Sequence, residues 1–319
     1  MIYRSLNEVP AGFGPSAVTI GNFDGVHAGH RQIMRRVAEL AQAGGWTPTV
    51  LTFDPHPTKV VAPDRAPKLI TAPEERARLM EREGIEAVVI LPFTLDVARL
   101  EPEEFVRRIL VEKLRVRAVV VGENFRFGHY AAGDTAMLRE LGVQYGFTVD
   151  VTMTVRWRGW TVSSTEIRRR IEAGDVGHAC RMLGRPFAIE GMVVHGQGVG
   201  SKQTVPTLNL APGEGVIPAR GVYITRTREA GGRRCWNSIT NVGIRPTFDG
   251  DRLTIETFLL TALEGSSPEA IRVEFLRRVR EERKFESPEA LKAQILRDVG
   301  RAKAYFRRLE TIGCSPAAG

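Results

Sequence analysis

Two histidines three residues apart, His27 and His30, bracket a glycine in the run Gly21-Asn22-Phe23-Asp24-Gly25-Val26-His27-Ala28-Gly29-His30. Glycines let a main chain come close to a ligand, and the open N–H groups of a following helix attract phosphate. Paired imidazoles at that point can hold nucleotide phosphates and stabilise the charge that develops in group transfer. Ser163, Ser164 and Thr165 put three hydroxyls at a second helix start, with Arg168 shortly after. Arginine grips phosphate oxygens two at a time, and the hydroxyls add donors. A third run, Gly196-x-Gly198-x-Gly200-Ser201-Lys202, superficially suggests a phosphate-binding loop. It lacks the G-K-[ST] ending and does not lead from a strand into a long helix, so that reading is rejected. Cys180, Cys235 and Cys314 stand far apart with no C-x-x-C pair, which argues against a disulfide framework and a structural zinc site.

The elements that must carry these residues alternate in type through the first half. Residues 17–20 read as a buried strand, the glycine run as a turn, and Ile33, Met34, Val37, Leu40 and Ala41 recur at helical spacing. Further strands are predicted at 49–53, 87–91, 117–121 and 148–155. Between them fall a helix opened by a Thr71-x-x-Glu74 capping box, one presenting Phe105, Ile109, Leu110 and Leu114, and one over 134–145. Such alternation predicts a doubly wound parallel sheet whose ligands sit beyond the carboxyl ends of the strands. After two short helices up to Gly184 the pattern turns to β-rich runs broken by Gly and Pro, at 189–195, 222–226, 234–241, 253–260 and 271–275. This second part reads as a small antiparallel barrel or sandwich, closed by a helix burying Leu291, Ile295, Val299, Ala302 and Phe306. The expected domains are residues 1–182 and 183–319.

The chain has 319 residues, enough for two domains, and its 43% hydrophobic content excludes a disordered chain. No run reaches the ~18 apolar residues of a membrane helix, and the first residues lack a basic start followed by an apolar stretch. A cytoplasmic protein with no membrane partner is expected. The net charge of +8 attracts anions. Residues 272–310 hold twelve Lys/Arg against seven Asp/Glu, so five of those charges are local. Five Tyr and four Trp leave little for base stacking, and a phosphorylated metabolite accounts for the charge as well as nucleic acid does.

The string G-x-F-D-G-x-H-x-G-H resembles the signature of the bacterial bifunctional riboflavin kinase/FAD synthetases, within the nucleotidyltransferase superfamily. Thr52-Phe53-Asp54-Pro55-His56-Pro57, Gly122-Glu123-Asn124-Phe125-Arg126-Phe127-Gly128 and Ser163-Ser164-Thr165-Glu166-Ile167-Arg168 follow in family order. The resemblance implies a Rossmann-like nucleotidyltransferase domain that moves AMP from ATP to FMN. It implies ATP phosphates against Gly21, Phe23, Asp24, Gly25, His27, His30, Ser163, Ser164, Thr165 and Arg168, and flavin against Asn124, Phe125 and Phe127. Read without it, Phe125 and Phe127 are equally well core aromatics.

In the second half Pro206-Thr207-Leu208-Asn209, Gly221-Val222-Tyr223, Asn241-Val242-Gly243-Ile244-Arg245-Pro246-Thr247-Phe248, Glu256 and residues 280–285 resemble the riboflavin kinase module of the same family, a β-barrel. By that resemblance Gly198, Gly200, Lys202, Thr207 and Asn209 bind ATP phosphates, Thr207 and Asn209 hold Mg²⁺, and Glu256 is the base. Alone, Glu256 reads as a solvent-facing strand residue. The family's G-R-x-L-G-F-P-T-A-N is here Gly200-Ser201-Lys202-Gln203-Thr204-Val205-Pro206-Thr207-Leu208-Asn209, without the arginine, the second glycine and the aromatic ring. Lys202 offers a point charge where the family has a fork. The expected activity is phosphorylation of riboflavin to FMN and adenylylation of FMN to FAD, with riboflavin, FMN and ATP as small-molecule partners and no nucleic acid. The alternative is an FAD synthetase with a weakened kinase module.

Overall fold

The computed structural model describes residues 1–194, 207–211, 213–232, 234–247 and 250–311. The chain divides into two compact units, Met1–Glu166 and Ile167–Gly319.

The first unit is built on six parallel strands: β1 (Ile2–Tyr3), β2 (Ser16–Ile20), β3 (Thr47–Asp54), β4 (Ala87–Pro92), β5 (Val116–Gly122) and β6 (Thr148–Thr152). Their order is β1-β4-β3-β2-β5-β6. Its helices are α1 (Ala28–Gly44), α2 (Pro57–Val61), α3 (Pro73–Glu81), α4 (Leu95–Ala98), α5 (Pro102–Phe105) and α6 (Thr135–Tyr145). Successive strand residues point to opposite faces, so each strand feeds two cores. Val50, Val88 and Val120 join Met34, Val37 and Met80 on one face. Leu51, Val89 and Val119 join Leu110, Leu114 and Leu138 on the other. The doubly wound α/β class therefore stands. The order reverses between β2 and β5, and the crevice beyond the carboxyl ends there is where such sheets receive ligands. The glycine-rich turn leaves β2 at that point.

Several local expectations differ. The Thr71-x-x-Glu74 capping box does not form: Ala72 caps α3, and Pro73 opens it. Thr71 is drawn instead to the glycine-rich turn, where its hydroxyl accepts from the Gly25 N–H at 2.9 Å. The helix carrying Phe105, Ile109, Leu110 and Leu114 continues from α5 as a π-helix, Val106–Lys113. Those apolar positions include the i, i+5 pairs 105/110 and 109/114, which the wider π turn brings onto one face. The strand expected over 148–155 ends at Thr152. The chain then forms a ribbon, β7 (Arg156–Trp157) with β8 (Trp160–Thr161), which the sequence reading missed, as it missed β1.

α7 (Ser164–Glu172) spans the division between the units. The second unit continues with α8 (Val176–Leu183) and the strands β9 (Phe187–Val194), β10 (Thr207–Leu210), β11 (Gly221–Glu229), β12 (Cys235–Thr247), β13 (Gly250–Leu259) and β14 (Ala270–Glu281). They close in the order β10-β13-β12-β11-β14-β9, with β9 pairing β10, so the architecture is a barrel and not a sandwich. Inside it a row of fully buried hydroxyls, Thr227, Ser238, Thr225, Thr240 and Thr257, is linked by hydrogen bonds of 2.7–2.9 Å. Each hydroxyl answers its neighbour, which removes the cost of burying it. The expected boundary at 182/183 and the compact division at 166/167 differ by helices α7 and α8. Cys180 on α8 donates its Sγ–H to the Phe275 carbonyl of β14, one of the contacts that hold α8 in the barrel's unit.

The last helix, α9 (Pro288–Thr311), lays Ala302 and Phe306 against Val222, Ile224 and Ile239. Its first half corrects the expected apolar stripe. Leu291 is exposed, and the buried positions are Gln294 and Asp298. The reason is that Arg280 of β14 bonds Asp298 at 2.8 Å and Arg283 bonds Gln294 at 2.7 Å, so polar partners are required there.

Candidate active sites

In the first unit the glycine-rich turn runs from the end of β2 into α1 under visible backbone strain. Phe23 (φ 49°), Gly25 (φ 83°) and Val26 (φ 40°) all lie in the left-handed region. For a β-branched residue such as Val26 this conformation persists only where surroundings over-determine it. Those surroundings are specific. Both Asp24 carboxylate oxygens accept from the Ile70 N–H at 3.0 Å, and one also accepts from the Thr71 N–H at 3.0 Å. Ser164 donates its hydroxyl to the Asp24 carbonyl at 2.8 Å. Asp24, expected beside phosphate, thus spends its carboxylate on holding the turn in place.

His27 caps α1, its Nδ1 accepting from the His30 N–H. An imidazole that accepts at Nδ1 carries its proton, when neutral, on Nε2. The two rings stack at 3.5 Å between centroids, and Phe23 meets His30 edge-on at 5.1 Å. A Cβ at Gly29 would stand 3.3 Å from the His27 ring, so the glycine of the motif leaves room for that stack. Burial, then the charge of His27 and of Arg76, hold the His30 pKa well below 6.5. Its Nδ1 is buried with no hydrogen-bond partner among the described residues. In the tautomer with its proton on Nδ1, the neutral ring has a donor left at a helix start, which suits a phosphate ligand.

Ser163 accepts from the Glu166 N–H at 3.2 Å as the cap of α7; Thr165 is exposed, and Arg168 follows one turn on, half-buried. Of the residues expected beside flavin, Phe125 and Phe127 stack at 5.6 Å; Phe127 belongs to the buried core and Phe125 packs against it. Asn124 is exposed on the loop after β5.

In the second unit Thr207 and Asn209 lie two apart on β10 and so share a face. Asn209 is the registered partner of Glu256 on β13, and Glu256 is in turn the partner of Asn241 on β12. Amide, carboxylate and amide therefore stand in one row across three strands. Glu256 is half-buried, not solvent-facing as its sequence alone suggests. The Thr207 Oγ1 is buried without a hydrogen-bond partner among the described residues. Such an oxygen is costly unless a ligand completes it. Gly198, Gly200 and Lys202 lie outside the described residues.

Residues 11–166 match the FAD synthetase family and residues 183–306 the riboflavin kinase family. A Pseudomonas fluorescens protein named bifunctional riboflavin kinase/FMN adenylyltransferase is 38% identical over 304 residues, 95% of this chain and 97% of its own. This chain belongs to that bifunctional family. A protein of the same name from Escherichia coli K12 is 35% identical, covering 91% of this chain and 92% of its own. A solved structure from Streptococcus pneumoniae, described as a macrolide-efflux protein, superposes with a TM-score of 0.86 at 28% identity, over 95% of this chain and 98% of that one. Among the described residues of the present family member, no helix is long and apolar enough to cross a membrane.

Sequence reasoning missed the residues that brace this family's first motif. Thr71 was visible but reads locally as a helix cap. Arg76 has no motif around it that singles it out in the sequence, yet it is only 2% exposed. Asn241 carried no role until the register of β12 with β13 set it beside Glu256.

Proposed function

We propose that the chain performs both reactions of its family through the residues assembled above. In the first, the ribityl 5′-hydroxyl oxygen of riboflavin attacks the γ-phosphorus of ATP. Glu256 takes its proton, the bond to the β–γ bridging oxygen breaks, and ADP leaves with the electron pair. In the second, an already ionised phosphate oxygen of FMN attacks the α-phosphorus of a second ATP. The bond to the α–β bridging oxygen breaks, and pyrophosphate leaves; no general base is needed. The work there is alignment and charge neutralisation, assigned to His27, His30, the open N–H groups at the start of α1, Ser163, Ser164, Thr165 and Arg168. Gly21, Phe23 and Gly25 would let the main chain approach, and Asn124 and Phe125 would border the flavin.

The unanswered Thr207 oxygen, with the Asn209 amide on the same face, suits Mg²⁺, a hard cation that takes neutral oxygens and keeps waters and substrate phosphate. The ion would supply charge neutralisation on the ATP phosphates. The domain assignment we favour is adenylyl transfer in residues 1–182 and kinase in 183–319. Free nucleotides and flavins as substrates suit a cytoplasmic enzyme, with neither nucleic acid nor membrane as partner.

The observation that carries this reading is the presence, in one chain, of the stacked His27/His30 pair at a helix start and the registered Asn209/Glu256 pair on a barrel. Incubation with riboflavin, ATP and Mg²⁺, with flavins separated over time, tests it: FMN rises first and FAD follows. His30→Ala is expected to let FMN accumulate while FAD formation falls roughly 10²–10³-fold, the scale of losing one preorganised donor. FAD made only from supplied FMN would favour the weakened-kinase alternative.

A further inference from the structure

Arg76 is the most deeply buried cation of the first unit, and its placement has a consequence for the adenylyl-transfer site. It sits in the first turn of α3. One arm of its guanidinium, Nη1, donates to the Asn22 carbonyl at 2.9 Å, inside the glycine-rich turn. The other, Nη2, donates to the Phe53 carbonyl at 3.4 Å, near the end of β3. The Asn22 carbonyl also accepts from the Thr52 hydroxyl at 3.3 Å, so two residues draw the turn onto β3. The same short stretch supplies the Ile70 and Thr71 N–H groups that Asp24 accepts and the Thr71 hydroxyl that Gly25 meets. Every hydrogen bond named here ends on the strained turn or on the strand beside it.

A buried guanidinium is costly, and a fold that wanted only packing would place an apolar side chain there. Burial pulls the Arg76 pKa below its ordinary value, while Asp24, Asp54 and Glu74 oppose that pull. Its charge in turn bears on His30, which also faces His27 and the Phe23 edge. The guanidinium fork offers each carbonyl a donor from a separate nitrogen, whereas an ammonium must serve both from a single nitrogen on a flexible stem.

We propose that Arg76 is a positioning residue of adenylyl transfer, tying the Asn22 carbonyl to the Phe53 carbonyl so that the strained turn presents His27 and His30 to the phosphates. The inference rests on the adenylyl-transfer reading of this unit. Arg76 touches no substrate. It fixes the geometry of groups that do, and it keeps a positive neighbour beside a histidine that works as a neutral ring.

The test compares wild type with Arg76→Lys, which keeps the charge but not the fork, and Arg76→Met, which keeps bulk alone. FAD formation from supplied FMN and ATP gives kcat and KM for ATP across pH, and FMN formation from riboflavin by the other unit reports an intact chain. Since misplacing the turn harms mainly the transition state, kcat falls about tenfold in Arg76→Lys and about a hundredfold in Arg76→Met, with the KM for ATP within about threefold. In Arg76→Met the acid limb of the kcat profile moves up in pH, because one of the charges that disfavour His30 protonation is gone. Arg76→Lys keeps the acid limb of the wild type. If Arg76→Met does not fold, Arg76→Lys decides alone: a kcat within threefold of wild type overturns the proposal. It is equally overturned if kcat and melting temperature fall together with the acid limb unmoved, since Arg76 would then be a structural cation only. Wild-type protein that makes no FAD from FMN would instead defeat the adenylyl-transfer reading itself.

Discussion

Asn209 and Glu256 are direct partners across the antiparallel β10–β13 pair, so their side chains leave the barrel on the same face. Opposed residues of this kind hold their Cβ atoms about 4.5–5.5 Å apart, a separation one phosphate group can bridge. With Asn241 on the far side of Glu256, the carboxylate stands between two amides. Amides can donate hydrogen bonds to a carboxylate without adding charge.

That row makes Glu256→Gln a selective lesion. The amide preserves size and hydrogen bonding but cannot take the 5′-hydroxyl proton. FMN formation from riboflavin should fall roughly 10²–10⁴-fold, the usual worth of a general base. FAD formation from supplied FMN should persist. Riboflavin turnover within about threefold of wild type would return Glu256 to the role of an ordinary strand carboxylate.

Thr207→Val separates ligand binding from folding, because here the two move in opposite directions. The Thr207 Oγ1 is buried and unanswered among the described residues, so its removal relieves an unfavourable group. Valine has nearly the same shape and suits a strand. The variant should melt at the same temperature or higher, with a gain of up to about 1–3 kcal/mol, yet lose kinase activity and its dependence on Mg²⁺ concentration. A variant that is less stable and fully active would mean that the oxygen serves the fold.

His30 sets a pH dependence of stability whose sign is fixed. Its pKa in the folded protein lies well below 6.5, first through burial and then through the charges of His27 and Arg76. As pH falls through 6.5 the unfolded chain takes up a proton that the folded chain refuses, so the folded state loses stability down to the native pKa and levels off below it. Above 6.5 there is no such penalty. Thermal melts of wild type at about pH 7.5 and about pH 5.5 should show a drop on acidification that shrinks in His30→Asn. An equal drop in both proteins would place the titrating group elsewhere.

Asp298→Ala tests the polar half of the α9 interface. Asp298 is 2% exposed and faces Arg280 at 2.8 Å, with the Gln294 amide donating to its other oxygen at 2.8 Å. Removing one partner leaves a charge poorly answered, which costs about 3–5 kcal/mol where the pair is buried. Denaturant melts of the variant would measure this. A loss below about 1 kcal/mol would show that water satisfies Arg280 as well as Asp298 does.

The sequence by itself carried whatever depends on neighbours along the chain. Strand and helix alternation, the glycine-rich turn, the His27/His30 spacing and the hydroxyls at the start of α7 are local patterns, because turn geometry and helix periodicity act over a few residues. Tertiary structure decided what joins distant positions. Asp24 lies 46 residues from the Ile70 N–H it accepts, and Ser164 lies 140 residues from the Asp24 carbonyl to which it donates. Thr71 gave up a helix cap for the turn, and the first half of α9 buries polar residues where Arg280 and Arg283 reach it. Glu256 moved from an anonymous strand position to a place opposite Asn209 only when β10 and β13 paired. Register and burial are properties of the packed chain, set by which hydrogen-bond ladders and apolar faces close together, and local sequence has no term for them.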